Sequence, residues 1–113
     1  MRALGMNRAL TAQVSASLTL TLPPDPELAG MAGLVCNHFF RQNGLTVAAA
    51  RRGARLVERR CLPFLRAAAR SHNAGRRGLV LVLRPGKATL EVFGKSGGAP
   101  ETCLVRLSRP GAA

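Results

Sequence analysis

The stretch from Thr46 to Ser71, TVAAARRGARLVERRCLPFLRAAARS, constrains this chain more than any other. Val47, Ala50, Ala54, Val57, Cys61, Leu65 and Ala68 recur at steps of three and four, the spacing that lines side chains along one stripe of an α-helix. Arg51, Arg52, Arg55, Arg59, Arg66 and Arg70 fall largely between them, so the opposite side of such a helix carries a row of guanidinium groups. The stripe needs a second layer to pack on, and the rest of the chain must supply it. Thr46 suits an N-cap, and Asn43-Gly44 suits the stop of a preceding helix. Pro63 sits inside the pattern, where it removes a backbone donor and crowds the carbonyl four residues back. A kink or break is expected near Arg59 to Leu62, leaving one bent helix or two shorter ones.

The flanking segments supply a sheet and a second helix. Val14, Ala16, Leu18, Leu20 and Leu22 alternate with Ser15, Ser17, Thr19 and Thr21, a strand with one buried face. Pro23 and Pro24 end it, Asp25 is a natural N-cap, and Pro26 occupies the first helical position, where its missing donor costs nothing. Leu28, Met31, Val35 and Phe39 are the expected inner stripe of the next helix, with Leu34 and Phe40 widening it. Gly30 and Gly33 weaken that helix by roughly 1 kcal/mol each against Ala and are expected where a neighbouring element comes close. After the basic helix, His72 to Gly78 reads as a loop. Leu79 to Leu83 is an unbroken apolar run, as in a strand covered on both faces or nearly so. Arg84-Pro85-Gly86-Lys87 suits a type II turn, Ala88 to Phe93 the next strand, Gly94 to Gly98 a glycine-rich loop and Thr102 to Leu107 the last strand. The expected fold is α+β, a two-layer sandwich with two main helices on one face of a mostly antiparallel sheet, in the order β-α-α-β-β-β. Residues 1–12 read as a loose tail, 13–108 as a single domain and 109–113 as a second tail.

Composition narrows the function classes. With 47% hydrophobic residues among 113, the chain can bury a modest core. Seventeen Lys and Arg against five acids give a net charge of +12, a field that attracts nucleic acid, an anionic surface or an acidic protein. Fifteen of the seventeen are Arg, and Ala, Leu and Gly are abundant, so a GC-rich genome writing on solvated surface accounts for the charge equally well. Aromatic content of 4%, with no Trp or Tyr, argues against a binder that stacks bases. No apolar run reaches the roughly 18 residues of a membrane span, and the N-terminus has no continuous apolar core of a signal peptide, so a cytoplasmic protein is expected. Cys36, Cys61 and Cys103 are far apart and each among apolar neighbours, which suits buried reduced thiols. Cys36 and His38 stand two apart in a helical context and diverge, so no metal site is expected.

This order of elements, with its particular turns, resembles the histidine-kinase-like ATPase (GHKL) fold, and within it the small bacterial serine-kinase anti-sigma factors. The resemblance runs from about Ser15 to Leu107 and is one of pattern and order. SLTLTLPPDPELAGMAGLVCNHFFRQNGLT is similar to that family's opening strand, proline turn and first helix. ARLVERRCLPFLRAAA stands where the family has a helix carrying a Glu and, four residues later, an Asn that coordinates magnesium on the nucleotide. GLVLVLRPGKATLEVFGKSGG stands where two strands lead into an Asp-x-Gly adenine-binding motif. Glu58 keeps the place of the Glu, but Leu62 replaces the Asn and Lys95 the Asp, while Gly97 is retained. Only Ala99-Pro100-Glu101 occupies the span where the family has a nucleotide lid and a further glycine-rich motif. Magnesium needs oxygen ligands, which Leu lacks. The resemblance therefore implies the scaffold without its nucleotide chemistry: no cofactor, no metal, no catalytic residues and no kinase activity.

Other catalytic arrangements are absent from the pattern. Glu58 beside Arg55, Arg59 and Arg60 reads as a surface ion pair, since a lone carboxylate among arginines has no positioned partner for general base work. The Gly94 to Gly98 loop lacks the spacing of a Walker motif and leads into a strand. Two functions remain as expectations. One is a non-catalytic regulatory module that binds an acidic protein, a sigma factor or other regulator, with homodimerisation left open. The other is nucleic-acid binding through Arg51, Arg52, Arg55, Arg59, Arg66, Arg70, Arg76 and Arg77, by phosphate contacts with little base readout.

Overall fold

A computed structural model describes residues 17–70, 78–96 and 99–109. The chain forms strand β1 (Leu18–Leu22), a 3-10 turn (Pro26–Leu28), helices α1 (Ala29–Gln42) and α2 (Val47–Arg70), and strands β2 (Leu79–Pro85), β3 (Thr89–Ser96) and β4 (Thr102–Ser108). The strands make one sheet in the order β1-β2-β3-β4, every neighbouring pair antiparallel. Both helices lie on one face of it, giving the α+β two-layer sandwich and the β-α-α-β-β-β order that the sequence implies. Val14 and Ala16, the start of the expected first strand, lie outside the described residues.

The local punctuation follows the expected chemistry. Asp25 accepts from the Glu27 amide at 3.0 Å, with Pro26 behind it in the first turn. Gly44 takes φ 97°, a left-handed conformation open to Gly at little cost, while the amides of Leu45 and Gly44 bond the carbonyls of Phe40 and Arg41 at 3.1 Å each. Those two bonds close the end of α1 and redirect the chain into α2. Thr46 then caps α2 by accepting from the Ala49 amide at 3.1 Å.

Four details differ from expectation. First, α2 runs unbroken from Val47 to Arg70 through Pro63. Pro63 is exposed while Cys61 and Leu65 on either side of it are buried, so packing on the sheet holds the helix together across the missing donor. Second, α1 buries only part of its expected stripe: Phe39 and Phe40 face inward with Ala29, Ala32, Gly33 and Cys36, and Val35 is half-buried, but Met31 and Leu34 are 50% and 74% exposed. The small residues let α1 come close to α2. A Cβ on Gly33 would stand 3.4 Å from the Ala54 carbonyl oxygen. Val47, at the start of the α2 stripe, is likewise 48% exposed. Third, the β2–β3 connection is a two-residue loop at Lys87 and Ala88, closed by the Gly86 amide on the Thr89 carbonyl at 2.7 Å, and Pro85 belongs to β2. Fourth, Gly94, Lys95 and Ser96 extend β3 instead of forming a loop. Gly94 is buried because a register shift at Val92/Phe93 leaves Leu104 as the extra residue of a β-bulge, and Leu104 packs where a Cβ on Gly94 would be, 3.0 Å away.

The core lies between the layers. Leu22, Leu79, Leu81, Leu83, Leu90 and Val92 point up from the sheet, and Phe40, Val57, Cys61 and Leu65 point down from the helices. Each such side chain contributes about 1.5–3 kcal/mol on full burial. Phe39 and Phe40 meet edge to face at 5.9 Å. Gly53 is where three elements converge: a Cβ there would stand 2.6 Å from Leu107 Cδ1 and 2.9 Å from Phe40 Cε2. The helices cover one sheet face only, so Val80 and Val82 on the other are half-buried, and the unbroken run Leu79–Leu83 is not doubly covered by them.

Candidate interaction surface

The helical layer and the open sheet face differ sharply in charge. Arg51, Arg52, Arg55, Arg59, Arg66 and Arg70 are all exposed along α2, opposite the buried stripe of Ala50, Val57, Cys61 and Leu65. At 1.5 Å per residue the 24-residue helix is about 36 Å long, and the row runs nearly its whole length. Among the described residues the two ion pairs are Arg84 with Glu101 at 3.1 Å and Arg106 with Glu91 at 2.7 Å. Arg84 also lies over the Phe93 ring, 4.7 Å from its centroid. By strand alternation these groups stand on the sheet face away from the helices. Two of the five acids thus balance sheet arginines and leave the α2 row uncompensated by them. Arg76 and Arg77 lie outside the described residues.

The outer side of α1 also exposes apolar side chains. Met31 and Leu34 project from the outer side of α1, and His38 one turn on is hydrogen-bonded to Gln42 at 2.9 Å. Their exposure is the counterpart of the small inward residues of α1, a reversal that a count of large apolar side chains does not reveal. Arg60 leaves the row: its guanidinium reaches round to donate to the Leu104 carbonyl on β4 and ties α2 to that strand.

The positions where the family resemblance places nucleotide chemistry are only partly brought together. Glu58 and Leu62 line an open groove between α2 and the Pro26–Leu28 turn, with Arg55 and Arg59 beside them. Lys95 pairs with Val80 and alternates with buried Gly94, so it projects from the opposite side of the sheet. Gly97 lies outside the described residues. Glu58 packs instead on α1, its Oε2 3.0 Å from where a Cβ of Gly33 would be.

The cysteines divide. Cys36 and Cys61 are fully buried, and burial pushes both thiols up to about 12, with Cys61 adding to the effect on Cys36. Cys103, expected among buried residues, is exposed near the start of edge strand β4. The bulge at Leu104 turns Leu104 and Val105 inward and leaves Cys103 out.

A second concavity adjoins the arginine row on the other flank of α2. Ala49, Gly53 and Leu56 face Leu107 across a cleft of about 420 Å³, with Arg52 and Arg109 at its mouth. Its lining is almost entirely apolar. Among the described helices none is long and apolar enough to cross a membrane. No family description, curated protein or solved structure matches this chain.

Proposed function

We propose that this chain is a non-catalytic regulatory module whose helical layer binds an acidic protein, on a scaffold resembling the histidine-kinase-like ATPases and the anti-sigma factors among them. The observation that carries the reading is that the helical layer exposes two features at once. The arginine row of α2 and the apolar Met31 and Leu34 of α1 are both exposed on that layer. Guanidinium groups recognise carboxylates, and exposed aliphatic side chains gain from burial against a partner's apolar atoms. An acidic protein surface offers both, and a phosphate backbone offers only the first. Sigma factors and their regulators in a bacterial cytoplasm are the partner class that the family resemblance suggests.

Nucleic-acid binding is the second reading, favoured by the length and uniform sign of the arginine row. It has a distinctive signature. Six phosphate contacts would cost about a thousandfold in affinity between 50 and 200 mM salt, with little dependence on duplex sequence. A tagged pull-down with and without nuclease separates the two. A defined acidic protein retained after nuclease, and lost when Arg51, Arg55 and Arg59 are replaced together by Ala, supports the regulator. Loss of all bound material on nuclease treatment, with steep salt dependence on any duplex, supports the nucleic-acid reading instead.

A further inference from the structure

The backbone at the end of β4 has a determined phase. The Arg109 amide donates to the Ala88 carbonyl at 2.8 Å, and the β3–β4 register pairs Ser108 with Thr89, Leu107 with Leu90 and Arg106 with Glu91. Antiparallel ladders alternate, so Arg109, Leu107 and Val105 direct their amides and carbonyls toward β3, and Ser108 and Arg106 direct theirs away from it. Among the described residues β4 is an edge strand, so no described strand pairs with those outward groups. The other half of the strand is shielded by the bulge at Leu104 and by Arg60 on the Leu104 carbonyl. The unshielded half is the part that borders the apolar cleft beneath α2. A strand laid beside it would direct alternate side chains into that cleft, against Gly53, Leu56 and Leu107.

We propose that the Arg106–Ser108 edge and the cleft form one strand-addition site, and that its occupant is an extended acidic segment alternating apolar and carboxylate side chains. The proposal rests on the acidic-partner reading and specifies how part of that partner is held. Main-chain hydrogen bonds to Arg106 and Ser108 supply the pairing, and the cleft takes an apolar side chain. Because successive side chains alternate faces, the carboxylates of such a segment fall on the sheet face away from α2, beside the exposed Arg106, which is paired there with Glu91. Charge also decides against self-pairing: a second copy at this edge would set Arg52, Arg106 and Arg109 against their own counterparts on a molecule of net charge +12.

The test uses the full chain and a short fluorescein-labelled peptide alternating Glu or Asp with Leu or Val. Its control is a peptide of the same composition with the acids in one block. Ser108→Pro removes one outward donor and leaves the bonds to β3 in place, because the Ser108 amide does not point there. The expected result is binding by fluorescence anisotropy that is at least tenfold weaker for the block peptide and for Ser108→Pro. The thermal midpoint of that variant should match the wild type. Hydrogen exchange at the Arg106 and Ser108 amides of the wild type should slow when the alternating peptide binds. No binding, or equal affinity of both peptides for both proteins without slowed exchange, overturns the proposal. Arg55→Glu/Arg59→Glu separates the two readings. Loss of binding in that variant alone keeps the arginine row and removes strand addition, and loss in Ser108→Pro alone does the reverse. A dimer of the free protein that Ser108→Pro dissociates would assign the edge to a second copy and overturn the acidic occupant.

Discussion

Gly33 of α1 lies directly against Glu58 of α2: a Cβ on Gly33 would stand 3.0 Å from the Glu58 carboxylate and 3.4 Å from the Ala54 carbonyl oxygen. The residue whose place suggests nucleotide chemistry is thus part of the packing between two helices. Gly30, one turn earlier, has more room, with Glu58 Oε1 at 4.0 Å as its nearest neighbour.

That difference in space predicts opposite effects of enlarging the two glycines. Gly30→Ala gains helix propensity without a clash and should stabilise by about 0.5–1 kcal/mol. Gly33→Val pushes on a backbone carbonyl that cannot swing away and should destabilise by about 1–3 kcal/mol. Urea unfolding midpoints measure both. A stabilising Gly33→Val would mean that the helices are not in contact there.

The thiols offer a second prediction. An aromatic disulfide reagent at pH 8 should label Cys103 in the folded protein and reach Cys36 and Cys61 only on unfolding, because both are buried and protonated. Both buried thiols have folded-state values raised from 9.0 to about 12, so folding favours the protonated form. Their contribution to stability is complete below about pH 9 and is lost as the pH rises toward 12. Replacing both by Ala should flatten that alkaline decline. An unchanged decline in the double variant would place its origin elsewhere.

Pro63 predicts a gain. It is exposed in the middle of an unbroken helix, so its ring fills no core space and its missing donor leaves the Arg59 carbonyl without its helical partner. Pro63→Ala should restore that bond and stabilise by about 2 kcal/mol, the intrinsic preference of about 3 reduced by the extra freedom of the unfolded chain. Chemical denaturation measures it. Equal or lower stability would show that the helix is built around the proline.

What the sequence makes legible here is whatever a segment decides for itself. Thr46 caps α2, the stripe of Ala50, Val57, Cys61 and Leu65 finds the core, and Gly44 ends α1, because each depends on neighbours a few residues away. The face that α1 buries is not decided locally. Met31 and Leu34 outweigh Ala32 and Gly33 in hydrophobicity, but close approach to α2 favours the small side. Gly94 reads as loop beside Lys95, Ser96 and two more glycines, and its place in β3 depends on Leu104, ten residues on. The arginine row is visible from its spacing alone. The cleft beside β4 is not, since nothing in the chain's order says that β4 is an edge or that α2 leaves its last turn of strand uncovered.

The family resemblance makes its own prediction, and the arrangement of residues determines the direction. A ligand that binds only the folded state raises the thermal midpoint. Magnesium-bound ATP in the family's manner would need an oxygen donor at Leu62 and an acidic reader at Lys95, on the side of the sheet where Glu58 lies. Leu62 has no donor atom, and Lys95 projects from the other face with a positive charge. Millimolar ATP with magnesium should therefore leave the midpoint unchanged in a thermal-shift measurement. If the midpoint rises, repeating it with Glu58→Ala locates the cause: loss of the shift would place a nucleotide in the groove beside α2, and its persistence would assign the effect to phosphate on the arginine row, which Arg55→Glu/Arg59→Glu would then remove.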